Sequence, residues 1–138
     1  MLMVVFFGVL AHAQGALRVR VLSGKSGKPV SGRNIMIYSA EAQHSKAPMQ
    51  PILKGRTDQS GVFTTAVKLP ERIIVGVEGR YLCERRWYGA FEYRVDDILS
   101  VGVVQSNLCN PKMLRSPVPG ELILFVRRES IKELLDLD

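Results

Sequence analysis

The chain has 138 residues, of which 46% are hydrophobic, and a formal net charge of +6. That length accommodates one domain with a core that can stabilise itself, and no stretch beyond the N-terminus is long and apolar enough to span a bilayer. The Lys and Arg residues are distributed along the chain, which does not argue for nucleic acid as a partner and is compatible with anionic components of a cell envelope.

The first 13 residues have the pattern of a secretory signal peptide. They carry no Lys, Arg, Asp or Glu, the segment 2–10 is apolar, and Ala11-His12-Ala13 is a small-x-small cleavage site. We therefore predict a signal peptide at 1–13 and a single mature domain at 14–138, located in the periplasm or outside the cell. The alternative is a short apolar strand at the N-terminus.

Five segments have the hydrophobic pattern of β-strands. Four of them alternate apolar and polar residues or are rich in β-branched residues, whereas the last is almost continuously apolar and is therefore predicted to be a central, buried strand. The predicted strands are 17–22, 34–38, 62–67, 73–77 and 121–126.

Two turns stand out between these strands. The segment 27–30 reads Gly-Lys-Pro-Val, and the segment 57–63 reads Thr-Asp-Gln-Ser-Gly-Val-Phe. In the second turn the Asp side chain can accept hydrogen bonds from backbone N–H groups ahead of it, and the Gly can adopt a positive φ. The segment 41–55 is predicted to be an irregular connection.

The rest of the chain predicts shorter elements. The aromatic-rich segment 78–93 predicts a hairpin that turns near Gly89, and apolar spacing within 95–104 predicts a short helix. The segment 110–120 contains three prolines and is predicted to be a loop. Ser130 and Glu133 match a capping box, which predicts a short C-terminal helix.

The chain has two cysteines, Cys83 and Cys109. An even number of cysteines in a small exported chain favours a disulfide, and this one would contribute about 3.5 kcal/mol by closing a loop of about 27 residues. Two unpaired buried thiols are the alternative. Two cysteines and two scattered histidines are too few for a metal site, so we expect no metal.

No set of catalytic residues emerges from the sequence. His44 is the one histidine after the signal segment, and we interpret it as a solvated residue of a polar loop because no catalytic partner accompanies it. Asp96 and Asp97 are adjacent, so on a helix their side chains diverge, and a position at a helix N-terminus suits them better. We therefore predict no enzymatic activity and no cofactor.

The strongest candidate for a binding surface lies in the segment 80–94. This segment contains the only Trp and three of the four Tyr, interleaved with four Arg. Aromatic rings stack on sugars and guanidinium groups bind anions, so Arg85, Arg86, Trp87 and Tyr88 are the candidate binding residues. Alternatively, Tyr81, Cys83 and Trp87 point into the core while the Arg side chains are solvated.

Four parts of the chain carry a resemblance to a known family: the two turns, the segment 102–110 with its Asn-Leu-Cys, and the final strand at 119–127. Together they resemble the carboxypeptidase regulatory-like domain, a transthyretin-like module of exported bacterial proteins. The resemblance covers residues 15–127. It implies an all-β fold, an Ig-like or transthyretin-like antiparallel β-sandwich of about seven strands with one or two short helices, and a non-catalytic role. The enzymatic branch of this fold ends in Tyr-Arg-Gly-Ser, whereas this chain ends in Leu-Asp-Leu-Asp.

These observations predict a non-catalytic binding domain at the cell envelope, with a protein or glycan partner that the sequence does not identify. One alternative is a carbohydrate-binding module. The other is a transthyretin-like hydrolase, which would need His44 and an arginine such as Arg56 or Arg94 in one cleft, within hydrogen-bond reach of the same substrate.

Overall fold

The structure is a computed structural model, and it describes residues 15–44, 47–84 and 91–128. These residues form nine strands, one α-helix and one 3-10 helix. The strands are β1 (Leu17–Ser23), β2 (Asn34–Ser39), β3 (Leu53–Arg56), β4 (Val62–Thr65), β5 (Arg72–Val77), β6 (Tyr81–Leu82), β7 (Tyr93–Arg94), β8 (Val103–Val104) and β9 (Glu121–Arg127). The α-helix α1 is Val95–Ser100, and the 3-10 helix is Ala40–His44.

The strands form two sheets. The first sheet has the order β4-β1-β9-β6, with β8 also paired to β9, and the second sheet has the order β3-β2-β5-β7. The predicted all-β sandwich is therefore confirmed, as are the five predicted strands and the short helix that begins at Val95. The signal segment 1–13 and the C-terminal helix predicted after Ser130 lie outside the described residues.

The strand β9 lies at the centre of the first sheet, as its apolar sequence predicts. It pairs in parallel with β1 along its length, from Arg18 opposite Glu121 to Ser23 opposite Val126. Its other side pairs with β8 in parallel and with β6 antiparallel. The first sheet is consequently mixed, whereas the sequence predicts an antiparallel one. Hydrophobic alternation could not predict the parallel pairs, because it does not indicate the direction of strands that are distant in the sequence.

The main core fills the space between the two sheets. Alternate residues of β1 and β9 point inward, which is the strand periodicity that the sequence shows. The buried core residues are Leu17, Val19, Val21, Ile35, Ile37, Ile73, Val75, Val77, Tyr93, Ile98, Leu122, Leu124 and Val126.

A second, smaller core lies on the other side of the first sheet. Leu22, Ile123 and Phe125 are buried there beside Cys83. The chain that follows β8 packs over them through Met113 and Cys109, and a Cys83–Cys109 disulfide anchors it to the sheet. The predicted disulfide is thus present, and we call residues 105–115 the flap.

The hairpin predicted within 78–93 would turn near Gly89, and residues 85–90 lie outside the described part of the chain. The described strands on either side of that part lie in different sheets, because β6 pairs with β9 and β7 pairs with β5. β6 and β7 are therefore not the two strands of one hairpin.

The connection predicted for 41–55 contains an edge strand that the sequence pattern did not reveal. β3 has one apolar residue, Leu53, in its four positions, and it pairs only with β2 in the second sheet. Gly55 is needed here because a Cβ at this position would lie 1.8 Å from the ring of Phe63.

In the described residues no helix is long and apolar enough to cross a membrane.

The two turns singled out in the sequence contact each other. Gly61 has φ +74°, and a Cβ on it would lie 2.7 Å from the carbonyl oxygen of Val21 and 3.0 Å from the backbone nitrogen of Val30. The carboxylate of Asp58 accepts hydrogen bonds from the backbone N–H groups of Ser60 and Val62, which closes the turn. The turn at 57–63 is thereby packed against the end of β1 and the segment that follows it.

We expect Gly61→Ala to lower the free energy of unfolding by at least about 2 kcal/mol, because a side chain at this φ is strained and its Cβ meets backbone atoms. Gly15→Ala is the matched control, since nothing lies within 4 Å of its Cβ. Urea unfolding followed by circular dichroism measures both. Equal stability of the two variants would contradict this packing.

Candidate functional site

One end of the sandwich carries a basic cleft of about 600 Å³. Val30 and Val126 are among its lining residues. The charged residues that line it are Lys25, Lys28, Arg33, Arg80, Arg127 and Arg128. Among the described lining residues there is no carboxylate.

The topology brings these cations together. Parallel strands end at the same edge of a sheet, so the turn after β1 lies beside the end of β9, where Gly24 N–H donates to Val126 O at 2.8 Å. In the second sheet β2 and β5 are antiparallel, so the residue before β2, Arg33, lies near Arg80, which follows β5. The side chain of Arg33 reaches to within 3.9 Å of the position of a Cβ on Gly79.

The turn after β1 presents two lysines. Ser23 N–H donates to Lys28 O and Gly27 N–H donates to Ser23 O, both at 2.8 Å, while Gly27 has φ +71°. These bonds close the turn and leave the side chains of Lys25 and Lys28 exposed to solvent. The chain then pairs back along β1, with Val30 N–H donating to Val21 O.

Thr57 positions the segment that carries Arg33. Its buried hydroxyl donates to Val30 O and accepts from Arg33 N–H, both at 2.9 Å. Its backbone N–H also donates to Arg33 O, at 2.9 Å. The sequence places Thr57 in a turn but does not reveal this role, because the partners of Thr57 lie more than 20 residues away in the chain.

The flap braces the lysine turn from the other side. The buried amide of Asn107 donates to Gly24 O at 2.8 Å, and Asn110 donates to Lys25 O at 3.3 Å. Arg115 donates to Gly27 O at 3.4 Å. Cys109 lies between Asn107 and Asn110 in the chain. Its disulfide to Cys83 therefore holds this part of the flap, which contacts the lysine turn, against the first sheet.

The electrostatics of the cleft are those of a cluster of like charges. Burial, with the positive charges of Arg33 and Arg128, lowers the pKa of Arg80. Four ion pairs of the described residues lie elsewhere: Arg18 and Arg20 with Glu121, Arg72 with Glu92, and Arg94 with Glu71. None of these pairs includes Lys25, Lys28, Arg33, Arg80 or Arg128.

Arg127, which lines the cleft, contacts Tyr81. The guanidinium group of Arg127 lies over the ring of Tyr81, 5.1 Å from its centroid. Tyr81 is 39% exposed, so the hypothesis that it points into the core is wrong, whereas Cys83 is buried as expected. Arg85, Arg86, Trp87 and Tyr88 lie outside the described residues, and their role as binding residues stays a prediction.

Tyr93, at the other end of the aromatic segment, is structural. Its buried hydroxyl accepts a hydrogen bond from Gln105 Nε2 at 3.0 Å, which joins β7 in the second sheet to the chain after β8 in the first. Burial raises the pKa of Tyr93, and the nearby negative charge of Glu84 adds to that rise.

The two arginines suggested as hydrolase partners of His44 lie at opposite ends of the second sheet. Arg56 lies opposite Asn34 at the start of β2, whereas Arg94 lies opposite Arg72 at the other end of the second sheet. The 3-10 helix that ends at His44 follows the end of β2, and the side chain of His44 lies outside the described part. No group of residues that could hold a metal ion occurs among the described residues.

Comparisons with known proteins add little. No family model matches this chain, and no curated protein matches it. A solved structure of the shaft pilin SpaA from Lactobacillus rhamnosus GG is similar to 83% of this chain and 48% of the pilin chain, with 11% identity and a TM-score of 0.47. The chain therefore spans about half the length of the pilin chain, and a likeness this weak carries no functional argument.

We define two triple variants to test the cleft. The cleft variant is Lys25→Gln, Lys28→Gln and Arg128→Gln, and the control variant is Lys54→Gln, Lys68→Gln and Lys112→Gln. All six side chains are exposed, so neither variant should disturb the core, and both lose three positive charges. They differ in that the first set lines the cleft and the second does not.

We expect the cleft variant to be more stable than the control variant at low ionic strength, by about 0.5–1 kcal/mol, because it removes repulsion between neighbouring cations. The difference should disappear at about 1 M salt, where charges are screened within about 3 Å. Urea unfolding at both ionic strengths measures it. A difference that persists at high salt would show that the effect is not electrostatic.

Proposed function

We propose that this chain is an exported, non-catalytic binding domain of the cell envelope, which binds anionic envelope components in its basic cleft. The observation that carries this proposal is the convergence of six cations on one cleft without a carboxylate among its described lining residues. Such a cluster attracts anions, and partial enclosure by the protein strengthens its field. Membrane surfaces with anionic lipids are one example of such a target.

Export is supported by the disulfide. Disulfides persist in oxidising compartments, which include the periplasm and the cell exterior. Cys83 is buried and its bond to Cys109 anchors the flap, so this disulfide is part of the fold. The signal pattern at 1–13 and the resemblance to the carboxypeptidase regulatory-like domain belong to the same proposal and point in the same direction.

A binding role agrees with the chemistry of the lining residues. Lysine and arginine side chains hold and orient anions, and both kinds are present. Hydrolysis would need a nucleophile that a neighbouring base activates. The described lining offers the hydroxyls of Ser23 and Ser31, with no histidine or carboxylate beside them in the lining.

The proposal is tested by co-sedimentation of the mature, disulfide-bonded protein with washed cell envelopes of its host. We expect the protein to sediment with the envelopes and to be released as salt rises from about 0.05 M to about 0.5 M, because screening weakens attraction between charges. The cleft variant should bind at least about fivefold less, which corresponds to about 1 kcal/mol.

The control variant separates a specific cleft from general attraction to a basic protein. It should sediment nearly as well as the unmodified domain. If the cleft variant and the control variant sediment equally, the cleft is not the binding surface and the proposal fails.

A further inference from the structure

We infer that the cleft recognises a ligand carrying two or more phosphate groups close together, in preference to a carboxylate-bearing ligand. This inference rests on the proposed function and names the ligand class of the same site.

The cations approach the cleft from both sheets: Lys25 and Lys28 from the turn after β1, and Arg33 and Arg80 from the ends of β2 and β5. Val30 and Val126 lie among these groups. Cations that converge from both sheets offer contacts for more than one anionic group, so the arrangement suits a ligand with several anionic groups.

The cleft concentrates positive charge in a small volume. Like charges at short range repel one another, and here burial and the proximity of Arg33 and Arg128 already lower the pKa of Arg80. A ligand relieves that repulsion best when it brings comparable negative charge into the same volume. Adjacent phosphate groups do so, because each carries a charge and several acceptor oxygens.

The hydrogen-bond donors of the cleft suit phosphate groups. Guanidinium groups match phosphate oxygens with two parallel hydrogen bonds, and lysines bind phosphate as point charges. The cleft combines both kinds of donor, whereas its other described lining side chains are the apolar Pro29, Val30 and Val126 and the hydroxyls of Ser23 and Ser31. Recognition of a neutral sugar would require acceptors for its hydroxyl groups, and Ser23 and Ser31 alone supply few of them.

Tripolyphosphate is a suitable probe, and citrate is a comparison polyanion that carries carboxylates in place of phosphates. We expect isothermal titration calorimetry of the mature, disulfide-bonded protein at about 0.15 M salt to show tripolyphosphate binding at least about tenfold tighter than citrate. The cleft variant should weaken tripolyphosphate binding at least about tenfold, and the control variant less than about twofold.

Vesicles identify the source of the phosphate. Phosphatidylcholine vesicles with and without phosphatidic acid are mixed with the same protein. The ligand is assigned to lipid headgroups if the protein binds tripolyphosphate and also binds only the vesicles that contain phosphatidic acid. That vesicle binding must be lost in the cleft variant. Tripolyphosphate binding without vesicle binding assigns it to a soluble or polymeric phosphate. Both results support the phosphate class.

Two results would overturn the inference: citrate binding as tightly as tripolyphosphate, or the cleft variant binding tripolyphosphate as well as the unmodified protein. The envelope experiment then separates the two proposals. If envelope binding still depends on the cleft, the proposed function stands and only the phosphate class is rejected. If envelope binding is also independent of the cleft, both are rejected.

Discussion

The parallel pairing of β1 with β9 is the constraint on which the rest of the structure depends. It runs from Arg18 opposite Glu121 to Ser23 opposite Val126 and joins the two ends of the described chain. β9 thereby becomes the buried centre of the first sheet, with one core on each side. Because the two strands are parallel, the turn after β1 and the residues after Val126 must lie at one edge, and both are basic.

Two separate supports hold that edge in place. On the side of the second sheet, the Thr57 hydroxyl bonds to Val30 and Arg33, and Gly61 packs against the same segment. On the other side, Asn107 bonds to Gly24 next to the Cys83–Cys109 disulfide. The turns that the sequence predicts as local chain reversals therefore also make tertiary contacts, and these contacts position the cations of the cleft.

The strands were predictable from the sequence, but the cleft was not. The continuous apolar run before Arg127 predicts a central strand correctly, and export predicts the disulfide. Strand direction depends on topology, so neither the parallel pair nor the different sheets of β6 and β7 could be predicted from alternation. The cations of the cleft are spread between Lys25 and Arg128, and only the fold brings them together. The local sequence pattern instead favours the cluster at 85–88, where aromatic residues and arginines are neighbours in the chain.

The central claim is that the β1–β9 pairing gathers these cations into one anion-binding cleft. Amide chemical shifts of the isotope-labelled, disulfide-bonded protein during titration with tripolyphosphate test it most directly. The account predicts that the largest shifts lie in 24–33, 78–80 and 126–128, and that 66–71 and 95–101 at the opposite end change little. Shifts of similar size at both ends, or the largest shifts at the opposite end, would contradict it.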